Sequence, residues 1–304
     1  MNYGHPLQFG TFITPAATPP EQAVALAKHS EALGYDLVTF QDHPYQPAFL
    51  DTWTLLSWVA GQTERVRIVT NVLNLPLRDP AVLARAAASL DLLSDGRFEL
   101  SIGAGGFWDA IASLGGRRLT PGQSVVALEE AIAVIREIWA TDKLGGVRAA
   151  GDFYHVVGAK RGPAPAHDIG IWVGAYKPRM LEMIGPTADG WLPSLAYLPG
   201  GVADLTETNR RIDEGAAAAG RDASAVRRFL NVGGRFASTG RGFLDGPSPQ
   251  WAEDLAGVTL THGITGFILQ AHDAPSIERF AHEVAPATRD PVAAERGALV
   301  GARG

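Results

Sequence analysis

The chain has 304 residues and 32.2 kDa, with 46% hydrophobic and 19% charged residues, enough apolar material for one large core and too much for wholesale disorder. Cysteine is absent, which excludes disulfides, thiol catalysis and cysteine-based metal sites. The net charge of −6 and pI near 5.8 argue against nucleic acid as the main partner, and basic residues come only in short pairs such as Arg117–Arg118. The start of the chain lacks a basic, apolar leader pattern, and no run of about 18 apolar residues occurs. The expectation is a cytoplasmic protein that neither enters a membrane nor binds nucleic acid.

Apolar strand patterns alternate with helical ones along the whole chain. Leu7–Thr14 reads as a strand and Pro19–Gly34 as a helix, with prolines in its first turn and a glycine at its end. Asp36–Phe40 is a second strand, ending in Gln41-Asp42-His43-Pro44, and Asp51–Gln62 a helix. Val66–Leu73 is a third strand, Pro80–Ser94 a helix, and Arg97–Ile102 a fourth strand leading into Gly103-Ala104-Gly105-Gly106. Pro121–Ala140 is the longest helix, with Val125, Leu128, Ile132, Ile135 and Ile138 on one face. Leu144–Ala166 reads as an insertion containing a short strand at Asp152–Val157, outside the main sheet.

The second half repeats the rhythm. Strand Ile169–Gly174 precedes helix Pro178–Ala188, strand Gly190–Leu195 precedes helix Asp204–Ala219, and strand Arg228–Phe236 precedes helix Gln250–Thr261. Gly263–Gln270 is the eighth strand and Ser276–Val284 the last helix, with a loosely ordered tail expected after Ala287. Eight such units without a linker predict a single (β/α)8 barrel domain over residues 1–304, with a doubly wound sheet as the rival.

Active sites of such barrels lie at the C-terminal strand ends. That rule selects Asp42 and His43, Asn71 and Val72, the Gly103–Gly106 loop, Gly174–Lys177, Ser194, Gln270 and His272. Asp42-His43 is the acid–base candidate, because histidine titrates near neutrality and an adjacent carboxylate can hold its tautomer. The glycine loop has Trp108 where a dinucleotide fingerprint needs its third glycine, and no helix opens at once, so it reads as a tight turn approaching a flat ligand. Val173–Arg179 is a strand, small residues and a proline-led helix start, a place where backbone N–H groups gather an anion. No metal-ligand histidine spacing and no G-x-S-x-G motif occur. Tyr45, Phe49, Trp53, Phe107 and Trp108 are candidate pocket walls, Trp53 being better read as core.

Together these segments resemble the bacterial luciferase-like superfamily of flavin and deazaflavin oxidoreductases. The resemblance is carried by Gln41–Pro47, by Glu64–Gly106 with its Pro-led helix ending Ser94-Asp95-Gly96-Arg97, by Ala127–Ala140 and by Pro186–Ser194. It implies a barrel holding FMN or the deazaflavin coenzyme F420, and a non-proline cis peptide at Asn71–Val72 beneath the ring. Asp42 and His43 would border that ring, with His43 the proton donor or acceptor. Gly103, Ala104, Gly105 and Gly106 would run along the cofactor side chain, and Gly174, Ala175, Tyr176 and Lys177 would receive its phosphate.

The implied activity is FMN-dependent monooxygenation or F420-dependent hydride transfer on a small organic substrate, with a separate flavin or F420 reductase as a partner and a homodimer as the assembly. Two departures stand out. Sugar-phosphate dehydrogenases of the deazaflavin branch carry a carboxylate where this chain has Gly106, and Tyr176–Arg179 replaces residues that are small in many relatives. A cofactor-binding protein of the same fold without turnover is the alternative, and a cofactor-free lyase or hydrolase the third reading.

Overall fold

In the computed structural model, which describes residues 1–301, eight parallel strands stand side by side in chain order and close on themselves. They are β1 (Gln8–Ile13), β2 (Leu37–Phe40), β3 (Arg67–Thr70), β4 (Phe98–Gly103), β5 (Ile171–Val173), β6 (Gly190–Trp191), β7 (Arg227–Val232) and β8 (Gly266–Gln270). Closure runs through two registers: Phe9 lies opposite Phe267 between β1 and β8, and Ile68 opposite Phe98 between β3 and β4. Residues 302–304 of the expected domain lie outside the described residues.

The strands are mostly apolar because side chains alternate between two hydrophobic layers. One set faces the surrounding helices and joins the large outer core. The other set points inward: Leu37, Val69, Trp172, Leu192, Phe229 and Ile268 fill the barrel, with the Trp172 and Phe229 rings stacked at 4.0 Å. Phe12 and Val72 pack on this plug. Helix starts are fixed by side-chain caps, each worth about 1 kcal/mol. Asp51 accepts from the Thr54 N–H, Asp79 from Ala81 and Val82, and Thr120 forms a reciprocal capping box with Gln123. No helix among the described residues is long and apolar enough to cross a membrane.

Several elements differ from the sequence expectation. The third strand stops at Thr70; Asn71–Val72 is a cis peptide, and Leu73–Asn74 resumes as a two-residue strand on the end of β4. The sixth strand shrinks to Gly190–Trp191, since Pro193 offers no N–H to a ladder. Arg228–Phe236 is broken by Gly233-Gly234, and Arg235–Phe236 pairs apart from the barrel with Asp245–Gly246.

In the insertion, Val147–Ala150 pairs antiparallel with His155–Ala159, so the expected strand begins later. The Glu130 carboxylate causes the delay by accepting the N–H groups of Asp152, Phe153 and Tyr154, which makes those residues a turn. A short helix, Trp108–Ser113, opens directly after the glycine loop, where none was expected. The tail is helical as well: Ala285–Gly301 buries Thr288 and Val292, and Arg296 donates to the His5 carbonyl at 2.7 Å.

Candidate functional site

A cavity of about 470 Å³ opens at the C-terminal strand ends. Its floor is the top of the barrel plug, Phe12, Val72 and Leu192. Gly103 and Gly174 clasp Val72 from two strands. A Cβ on Gly103 would lie 2.7 Å from Val72 Cγ2, and one on Gly174 would lie 3.0 Å from Cγ1. Larger residues there would push Val72 up into the cavity.

Beside the apolar floor sits a buried amide pair. Asn71 Nδ2 donates to Asn231 Oδ1 at 2.7 Å, and Asn231 Nδ2 donates back to Asn71 Oδ1 at 2.9 Å. The pair is completed by Thr39 Oγ1 at 3.0 Å from Asn71 Nδ2 and by Ser194 Oγ at 3.2 Å from Asn231 Nδ2.

The wall after β2 carries the titratable groups. Asp42 is 2% exposed and both its oxygens are engaged, by the Asn74 N–H at 2.9 Å and by the Arg78 guanidinium at 3.2–3.3 Å. It therefore shapes the loop rather than meeting His43. The tautomer partner of His43 is instead Tyr45, whose Oη lies 2.7 Å from Nδ1. Burial lowers the His43 pKa, with Asp42 pulling part of the way back, while burial and then Asp42 raise that of Tyr45. At neutral pH the pair is a neutral imidazole hydrogen-bonded to a neutral phenol, and among the described residues Nε2 has no hydrogen-bond partner and can exchange a proton.

Most residues expected at the site meet here. Asp42, His43, Asn71, Val72, Gly103, Ala104, Gly105, Gly106, Gly174 and Tyr176 all line the cavity. Ala175 and Lys177 do not. Ala175 is buried beneath it, its carbonyl accepting from the Trp191 indole at 3.0 Å, and Lys177 is exposed at the start of the Pro178–Thr187 helix. Between them Tyr176 turns inward, its Oη accepting the Ser194 N–H at 2.8 Å. Of the aromatic candidates, Tyr45 and Phe107 are in the wall, whereas Trp53 packs edge-on against Phe98 at 5.5 Å.

The residues missed include the polar Asn74, Tyr197 and Asn231 and the apolar Phe12, Leu73 and Leu192. Asn231 was findable as a polar residue inside an apolar strand one position from its end. Among the described residues no group of three metal-ligating side chains occurs.

The glycine-rich floor and loop fit a flat organic cofactor better than a metal or a phosphate-first dinucleotide. A Cβ on Gly105, at φ 93°, would meet Pro76 Cγ at 2.8 Å, so a side chain is excluded where the loop bends over the cavity. Asn74 Oδ1 is buried in the wall with no hydrogen-bond partner, an acceptor waiting for a donor on a bound molecule.

The closed barrel thus opens into a mouth with a glycine-clasped floor and His43 in its wall. The sequence profile of the luciferase-like monooxygenase family matches residues 1–238, and the chain belongs to that family. It is 34% identical over 179 residues to an F420-dependent glucose-6-phosphate dehydrogenase of Amycolatopsis mediterranei, covering 57% of this chain and 53% of the relative. The chain spans about half to two thirds of the length of the curated relatives it matches, 64% for similar proteins of Kribbella flavida and Gordonia bronchialis.

Among solved structures, an F420-dependent secondary alcohol dehydrogenase holding an F420-acetone adduct superposes with a TM-score of 0.81 at 20% identity, over 94% of this chain and all of the other. A riboflavin lyase with modified FMN and riboflavin gives 0.80 at 16% identity, over 96% and 92%. At those identities the two structures establish the shared fold.

Proposed function

We propose that this chain is a deazaflavin-dependent oxidoreductase that uses coenzyme F420 to move a hydride to or from a small organic substrate. The observation that carries the reading is the His43–Tyr45 pair facing a cavity whose glycine-clasped, partly polar floor suits a flat ring. The F420-dependent relatives favour the same coenzyme.

When bound, F420 supplies the two-electron hydride acceptor or donor. Val72 and the Asn71–Asn231 pair would support its ring, and the Gly103–Gly106 loop its side chain. The Gly174–Tyr176 turn and the helix start after it would lie nearest its phosphate, through backbone N–H groups. The chain's own chemical share is the proton. In the oxidising direction His43 Nε2 would take the proton of a substrate hydroxyl, and in the reverse direction it would return that proton to the carbonyl oxygen. Tyr45 can accept from or donate to Nδ1 by rotating its hydroxyl, so it supports either tautomer of His43.

The test is titration of the purified protein with F420 and FMN, oxidised and reduced, followed by fluorescence. Saturable F420 binding, with reduction or oxidation that disappears in His43→Ala, is expected. Preferential binding of reduced FMN with oxygen consumption would replace this reading by a monooxygenase served by a separate flavin reductase. Binding without turnover over a broad substrate panel would leave a cofactor carrier.

A further inference from the structure

We propose that the substrate half of this cavity takes a small uncharged alcohol or carbonyl compound with an apolar or aromatic body, and excludes phosphate esters and carboxylates. The proposal rests on the oxidoreductase reading above and adds the substrate class.

Charge is the first argument. Among the described residues lining the cavity there is no lysine or arginine. The one carboxylate there, Asp42, is saturated by the Asn74 N–H and Arg78, and Arg78 is in turn tied to Asp51 at 3.2 Å. His43 offers no compensating cation, since burial holds it towards the neutral form. A phosphate or carboxylate that enters on the His43 side, away from the backbone N–H groups after Gly174, sheds water and meets no opposite charge. An alcohol or ketone needs only a hydrogen-bond partner, which His43 provides.

Two further cations lie beside the cavity and not in its lining. Arg235 and Arg279 line a neighbouring hollow that shares only Gln270 with it. Arg235 is paired with Asp245 at 3.0 Å, and Arg279 lies over the Phe236 ring at 5.4 Å.

The second argument is the lip. Phe107 stands edge-on to His43 at 5.6 Å and lies 5.9 Å from Tyr45, while Tyr197 meets Tyr176 edge-on at 5.7 Å across the mouth. Phe107 and Tyr197 are 60% and 68% exposed, so two rings face water until something apolar covers them. Gly106, next to Phe107, has nothing within 4 Å of where a side chain would point, which leaves room for that body. Phe107, Tyr45 and Tyr197 are thus the specificity-determining side chains.

The experiment uses F420-loaded protein and follows coenzyme emission while cyclohexanol, glucose-6-phosphate or inorganic phosphate is added, in wild type and in Tyr197→Lys. Expected are a saturable change with cyclohexanol, none with either phosphate in wild type, and a glucose-6-phosphate response that appears only in Tyr197→Lys, through the part-exposed ion pair the lysine supplies. A saturable wild-type response to glucose-6-phosphate overturns the proposal, and so does indifference to cyclohexanol and to a panel of other uncharged alcohols and ketones. If F420 itself fails to bind, the coenzyme reading falls separately. Calorimetric titration of the coenzyme-free protein with the same compounds then decides the substrate class by the same criteria.

Discussion

Replacing Asn231 with Leu attacks the polar half of the cavity floor while keeping the branching and heavy-atom count of the side chain. Asn231 is 3% exposed, donates to Asn71 Oδ1 and Ser194 Oγ, and accepts from Asn71 Nδ2. Leucine there leaves Asn71 Oδ1 without a donor inside the barrel, while Nδ2 keeps only Thr39. A buried acceptor left unsatisfied costs about 1–3 kcal/mol and each lost bond about 1, against roughly 1 regained from the apolar side chain, so the loss should be about 3 kcal/mol. With an unfolding entropy of about 2.1 cal/mol/K per residue, that lowers Tm by about 5 °C in a chain of 304 residues.

Urea denaturation followed by circular dichroism gives the free energy, and calorimetry the Tm. The double variant Asn71→Leu/Asn231→Leu, which removes both halves of the pair, should be more stable than the sum of the single losses by at least about 1 kcal/mol. A single-variant loss below about 1 kcal/mol, or strict additivity in the cycle, would show that the amides are solvated independently and refute the argument.

Tyr45→Phe removes the partner of His43 Nδ1 and should lower kcat with F420 by about three- to tenfold, the worth of one hydrogen bond, with little change in coenzyme affinity. Restored turnover in a second variant, Tyr45→His, would support a positioning role; unchanged kcat in Tyr45→Phe would remove it. Gly103→Ala should drive Val72 upward, weakening F420 binding about tenfold and costing about 1–3 kcal/mol of stability, as read by fluorescence titration and urea midpoints.

At the opposite end of the barrel, Glu99, 3.5 Å from His167 Nε2, and Asp91, 2.8 Å from Nδ1, hold the His167 pKa above its ordinary 6.5. Its contribution to stability is therefore complete below about pH 6.5 and lost as pH rises through the elevated folded value. The urea midpoint of wild type minus that of His167→Leu should be largest in mild acid and shrink towards alkaline pH; a difference that grows with pH would reverse the assignment.

The barrel could be read from the chain because its signals are local. Each apolar strand pattern sits next to a helix with a proline or capping start, and the strand-end rule alone brought Asp42, His43 and the Gly103 loop to one mouth. What escaped depends on residues meeting across distance or on a local reversal. The Asn71–Asn231 pair joins positions 160 apart, and neither asparagine carries a sign of the other. His43 looked like the partner of Asp42, its neighbour in sequence. The loop after β2 instead turns Asp42 inward to Asn74 and Arg78 and brings Tyr45 back over the imidazole.

At Gly174–Lys177 successive residues of an extended segment point opposite ways, so the Gly174 and Tyr176 positions line the cavity while the side chains of Ala175 and Lys177 turn away from it. The tail helix was hidden by Pro291. A proline inside a helical pattern argues for a stop, and burial of Thr288 and Val292 overrides it.

The stacked Trp172–Phe229 plug fills the barrel beneath the cavity floor. With its lower half filled, the floor at Val72 faces the mouth that Phe107 and Tyr197 help to line. A ring lying on that floor must arrive first and depart last, and whatever is bound above it acts as a stopper. Steady-state kinetics should accordingly be ordered, and saturating concentrations of the second ligand should slow the escape of the first. Residence time of the coenzyme then becomes a property of the substrate as much as of the protein.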